Sequence, residues 1–262
     1  MKRFLIGLGA LIFLIFLIIL AYYLVHSSNK PLSNANMPVK TVKAQTEKEV
    51  SCTRTIRLQN SPQYDRALSL IAQRIDDYNK YSYENMKFKY FPTQLTNCIK
   101  VTETNVANTS GAEGYFTFNS KDIRQNYYPI SVDASYSLTD DVLTALLLSH
   151  EMTHVQQYIN QLNGKPSLSC YDKEIEAFMA QLDFYITLNS EEDSSVYDRI
   201  QNDENLHPQL QMIKTMTTIN RDSGCGFEGA DLGIACKDKN LRSKLKEMLM
   251  QNETYKKECT YN

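Results

Sequence analysis

"LLLSHEMTHVQQ", residues 146–157, holds two of the chain's four histidines, four residues apart, with a glutamate directly after the first. On an α-helix, positions i and i+4 differ by about 40° around the axis and about 6 Å along it, so His150 and His154 project in parallel and can share one metal ion. Glu151 sits about 100° round from His150, beside such an ion, where a carboxylate can take a proton from a zinc-bound water whose pKa is lowered to about 7. In a random ordering of this composition the pattern H-E-x-x-H is expected roughly 0.003 times. The plain alternative is an amphipathic helix with two solvated histidines, so the flanking sequence decides.

That flanking sequence is well punctuated. Thr139 is a good N-cap, Asp140 and Asp141 place negative charge in the first turn, and Asn163-Gly164 followed by Pro166 makes a stop. One helix over 140–162 follows, with Val142, Leu143, Leu146, Leu147, Val155, Ile159 and Leu162 as its buried stripe. A loop through Cys170 leads to a second helix from about Lys173 to Leu188, with Asp172 as N-cap and Ile175, Met179, Leu182 and Ile186 turned inward. A catalytic zinc usually takes three protein ligands, and the "YDKEIEAFMAQLDF" stretch offers Glu174 and Glu176 one helix hairpin away from His154.

Over residues 140–188 the chain resembles the gluzincin branch of the zincin metallopeptidases, in which H-E-x-x-H on one helix is completed by a Glu near the start of a following helix. The metzincin branch is excluded, because its pattern needs Gly at 157 and His at 160, where this chain has Gln157 and Asn160. The resemblance implies His150, His154 and the Glu before the Ala, Glu176, as ligands of one zinc ion, with Glu151 as general base; Glu174 is the second candidate for third ligand. It also implies a carboxylate that orients a zinc histidine. The thermolysin-like position for it is Ala180 here, which leaves Asp183 or Asp172. Tyr171 and His207 are the candidates for an oxyanion donor. An edge strand for an extended peptide would be Tyr115–Phe118 or Ile130–Asp133.

The rest of the chain predicts an α+β, zincin-like fold: a small antiparallel or mixed sheet packed on the motif helix, then a mostly helical C-terminal part. Ser61-Pro62 opens a helix over about 62–80, with Leu68, Ile71, Ala72, Ile75 and Tyr78 at helical spacing. "KFKYF", "CIKVTET", "GYFTFN" and "YYPISVDAS" read as three or four short strands between 88 and 137. Further helices are expected at about 191–200, 208–220 and 237–256.

Met1-Lys2-Arg3 precedes an apolar run, Phe4 to Val25, that as a helix would extend about 33 Å, enough to cross a bilayer. Cations before the run and none clustered after it favour the N-terminus inside. Residues 1–26 are therefore expected to be a transmembrane anchor, 27–50 a polar linker that cannot bury enough surface to order itself, and 51–262 an extracytoplasmic domain. Cleavage after the apolar run would instead release a secreted protein. The six cysteines all follow the anchor, as three disulfides in an oxidising space would require. Of the 15 pairings only Cys225 with Cys236, across a Gly-rich turn, is suggested.

With 28 basic and 30 acidic residues and no basic cluster, a nucleic-acid partner is not expected. The reading is a membrane-anchored zinc endopeptidase acting on peptide or protein substrates. The alternative is a non-catalytic anchored binding domain with a structural or vestigial zinc site. An intramembrane protease fits poorly, because the motif helix carries Gln156, Gln157 and Gln161 and lies far from the single apolar run. A deformylase would need an upstream cysteine motif that "TNCIK" around Cys98 does not match.

Overall fold

Ser61 is extended (φ −64°, ψ 152°) and Pro62 occupies the first helical turn of α1 (Pro62–Tyr81), where the missing N–H of proline has no helical partner to lose. The computed structural model describes residues 49–82, 87–105, 114–116, 126–134, 141–202, 211–216 and 241–261. Tyr64, Ala67, Leu68, Ile71 and Ile75 form the buried stripe of α1. That stripe packs on α2 (Asp141–Leu162), the helix of the motif.

Helix α2 differs from the expected amphipathic stripe. Every residue from Leu143 to Thr153 is buried, whereas Leu162, expected inside, is 43 % exposed. A helix buried all round its first three turns is the centre of a domain, not one of its walls. α1 and the sheet cover it from some sides and α3 (Cys170–Ile186) from another. Its buried hydroxyls are satisfied locally: Ser149 donates to the Leu146 carbonyl at 2.8 Å and Thr153 to the Ser149 carbonyl at 2.9 Å.

The stop at the end of α2 forms as expected. Gly164 has φ +78°, Gly164 N–H bonds the Gln161 carbonyl, and Lys165 N–H bonds the Asn160 carbonyl, the paired bonds of a Schellman cap. Asn163 exchanges two 2.8 Å hydrogen bonds with the backbone of Val50, so the last residue assigned to the linker is already tied to the domain. The expected N-cap Thr139 lies outside the described residues.

Three strands form, β1 (Ile99–Thr104), β2 (Gly114–Phe116) and β3 (Tyr128–Asp133), in the order β1-β3-β2. β3 is central and buried along most of its length. β2 runs antiparallel to it, with Tyr115 opposite Ser131, but β1 runs parallel to it, with Val101 opposite Ile130. The sheet is therefore mixed. "KFKYF" is not a strand: Phe88, Tyr90 and Phe91 are buried in an edge-to-face aromatic cluster, and Phe91 runs directly into Pro92, which has no N–H for a ladder.

After α3 come α4 (Ser190–Asn202), a helical stretch at 211–216, α5 (Arg242–Gln251) and α6 (Glu253–Tyr261). α5 and α6 replace the single helix expected over 237–256. Asn252 is extended, and its side-chain oxygen accepts the Thr254 N–H at 3.0 Å, ending one helix and capping the next.

Two disulfides are present among the described residues, Cys52–Cys98 and Cys170–Cys259, closing separations of 46 and 89 residues. On the chain-entropy model, loops of this size are worth about 4 kcal/mol each. Cys225 and Cys236, like the apolar run of residues 4–25, lie outside the described residues. No helix among the described residues is long and apolar enough to cross a membrane.

Candidate metal centre

The start of α3 decides which glutamate can reach the histidines. Ser169, not Asp172, is the N-cap: its hydroxyl oxygen accepts the Asp172 N–H at 3.2 Å and donates to the Asp172 carboxylate at 2.6 Å. Ser169-Cys170-Tyr171-Asp172 is thus a side-chain N-cap in which both hydrogen bonds run through the Ser169 hydroxyl, and its S-x-x-D spacing is a signal present in the sequence. From this start Cys170, Glu174 and Phe178 recur every four residues on one face. Glu174 and Glu176 are about 200° apart around the axis, so they face opposite ways.

Glu174 faces the histidines. Its two carboxylate oxygens lie 3.4 Å from His150 Nε2 and 3.4 Å from His154 Nε2, and one donor atom from each of the three residues falls within 4.8 Å of the others. Glu176 instead accepts a hydrogen bond from Arg242 Nη1 at 2.8 Å on the other side of α3. The carboxylate brought to the histidine pair is therefore that of Glu174, and the expected Glu176 is engaged elsewhere.

The 3.4 Å spacing is informative. A charge-assisted N–H···O contact closes to about 2.7–2.9 Å. Ligands around a tetrahedral ion with bonds of about 2.0–2.1 Å are instead about 3.3–3.4 Å apart. Two imidazoles and one carboxylate are also a donor set that suits zinc. The residues present therefore fit one zinc ion. His150 is 1 % exposed and packed edge-on against Phe178 at 4.6 Å, whereas the His154 side chain is 20 % exposed, so access to the group runs over His154.

A carboxamide rather than a carboxylate orients His154. Gln157 Nε2 donates to the Lys173 carbonyl at 2.9 Å, which leaves Gln157 Oε1 as the atom 3.0 Å from His154 Nδ1. An amide oxygen only accepts, so Nδ1 carries the proton and the Nε2 lone pair faces Glu174. Residue 157, which excludes the metzincin branch by being Gln, is the residue that sets this tautomer. Gln157→Leu should weaken zinc binding about 10–100-fold, measured by competition with a chromophoric chelator; unchanged affinity would show that His154 needs no such support.

Electrostatics couple the three side chains. Burial by itself would lower the His154 pKa, but the carboxylates of Glu174 and then Glu151, with the Gln157 hydrogen bond, outweigh it and hold the pKa above the ordinary 6.5. Burial would likewise raise Glu174, yet His154 and His150 bring it below the ordinary 4.5. A proton on His154 and a metal ion thus compete for the same electron pair.

Glu151 is 2 % exposed and lies directly under β2. A methyl group added at Gly114 would meet Glu151 Cγ and Oε1 at 3.2 Å each, so a side chain there would press on the buried carboxylate, which would have to give by a few tenths of an ångström. Of the two edge candidates, β3 is the central strand and β2 lies at the margin of the sheet, above the motif helix.

The remaining candidates lie elsewhere. Asp172 is occupied in the Ser169 cap, and Asp183 is charge-coupled to Tyr78 and Tyr90, on the Glu176 side of α3. Tyr171 packs half-buried against the core, and His207 lies outside the described residues. Against protein-family models, curated proteins and solved structures, the chain matches none.

Proposed function

We propose that the chain is a zinc-dependent endopeptidase of gluzincin type, with His150, His154 and Glu174 as the metal ligands and Glu151 as the general base. The observation that carries this reading is the combination of a two-His, one-Glu donor set, its ligand atoms within 4.8 Å of one another, with a second buried acid, Glu151, one residue along the same helix as His150. When bound, the zinc ion would supply a Lewis acid for the scissile carbonyl and lower the pKa of the attacking water. Glu151 takes the water's proton and passes it to the leaving amine. Among the described residues β2 is an edge strand, whose backbone N–H and C=O groups would suit an extended peptide, and the partly exposed His154 side is where that peptide would enter.

The disulfides Cys52–Cys98 and Cys170–Cys259 support an oxidising, extracytoplasmic setting, and the apolar run of residues 4–25 supports attachment to a membrane. The test is hydrolysis of a mixed peptide library by the zinc-loaded protein. Cleavage should stop with a chelator and return with added zinc. A protein that holds zinc but cleaves nothing would instead be the anchored binding domain with a structural metal.

A further inference from the structure

Two buried side chains where α2 packs on α3 carry polar atoms with no partner among the described residues. They are His150, at Nδ1, and Gln181, at both Oε1 and Nε2 of its carboxamide; His150 is 1 % exposed and Gln181 is fully buried. Other polar side chains of this helix pair are satisfied. Ser149 and Thr153 bond backbone carbonyls, and Gln157 bonds both His154 and the Lys173 carbonyl. A stranded amide inside a core costs free energy, so a buried one is nearly always bonded.

Helix geometry brings the two side chains together. Gln181 is seven residues after Glu174, about 20° from it around α3, and Phe178 is about 40° from it on the other side. The face of α3 that presents Glu174 to the histidines therefore also carries Gln181, beside the Phe178 ring that packs 4.6 Å from His150. The helices run antiparallel, since His154 meets Glu174 while His150, earlier on α2, meets Glu174 and also Phe178, later on α3. Side chains lean towards the N-terminus of their own helix. In an antiparallel pair His150 thus leans forward along α3 and Gln181 leans back along it, each towards the other.

His150 Nε2 lies 3.4 Å from the Glu174 carboxylate and is the nitrogen placed for an ion, so the ring proton stays on Nδ1 and needs an acceptor. Resting on the metal centre of the endopeptidase reading, we propose that Gln181 is the positioning residue of His150. One buried water between them accepts the Nδ1–H and donates to Gln181 Oε1. The two zinc histidines are then oriented by two glutamines, Gln157 from α2 on the partly exposed side and Gln181 from α3 in the core. A carboxamide there holds the imidazole without adding another charge to a buried group that already contains Glu174 and Glu151.

The experiment compares wild type with Gln181→Met and Gln181→Glu, using Gln157→Leu as reference. Met fills nearly the same volume and cannot bond, whereas Glu keeps an oxygen acceptor. Zinc-loaded wild type should show two slowly exchanging imidazole N–H resonances by proton NMR; Gln181→Met should lose one and Gln157→Leu the other. Zinc affinity, read by chelator competition, should fall about 10–100-fold in Gln181→Met, and Gln181→Glu should recover most of that loss. A merely stranded amide gives the opposite result: without zinc Gln181→Met would melt higher than wild type, and with zinc it would keep both resonances and the wild-type affinity. That outcome would overturn the proposal and leave the endopeptidase reading intact. So would a wild type showing only the resonance lost in Gln157→Leu, a measurement that needs no Gln181 variant to fold. Failure of the wild-type protein to take up zinc would overturn both.

Discussion

Glu151→Gln should leave the protein folded and zinc-loaded while lowering peptide hydrolysis by about 10²–10⁴-fold. The substitution is isosteric, which matters because the side chain is buried and a Cβ at Gly114 would already crowd it at 3.2 Å. The amide fills the same space but cannot accept a proton from water. Glu151 is outside the three-residue donor group, so metal content should not change. Hydrolysis at the wild-type rate would mean that another group activates the water; loss of zinc would mean that Glu151 is a ligand. The pair of measurements, turnover and metal content, separates these outcomes.

The two glutamates of α3 should behave oppositely. Glu174→Ala removes one donor of three and leaves two buried imidazoles without their carboxylate, so bound zinc should fall below stoichiometric under dilute conditions and hydrolysis should vanish with it. Glu176→Ala removes only a partly exposed ion pair with Arg242, each side chain being 27 % exposed, and the expected cost is at most about 1 kcal/mol of stability with zinc retained. Metal analysis after dialysis, beside thermal unfolding of the same samples, reads both. Zinc lost from Glu176→Ala and kept by Glu174→Ala would reverse the ligand assignment.

Much of the site was legible before any coordinates, because it depends on local periodicity. Two histidines at i and i+4 share a face of any helix, and the Gly164 stop and Ser61-Pro62 start follow from backbone rules that act within a few residues. The carboxylate that meets the two histidines does not follow from local periodicity in the same way. Choosing Glu176 by its place before Ala177 used a likeness, whereas the side a residue faces is set by the helix start. That start lies at Ser169, and the cap Ser169-x-x-Asp172 was there to be read. Gln157 escaped notice as the His154 partner because a carboxylate was sought, although a glutamine three residues along the helix can reach the ring as well.

The sequence by itself determined the motif helix, the number of cysteines available for pairing and the apolar N-terminal run. Each of these is a property of residues adjacent in the chain, within reach of helical spacing or hydropathy. Only the tertiary structure decided that α2 is buried all round, that β1 lies parallel to β3, that Cys170 pairs with Cys259 and that Glu174 rather than Glu176 meets the histidines. These depend on which faces pack together across dozens of residues. The free energy that selects them is burial of the combined core, a quantity that no single stretch of sequence contains.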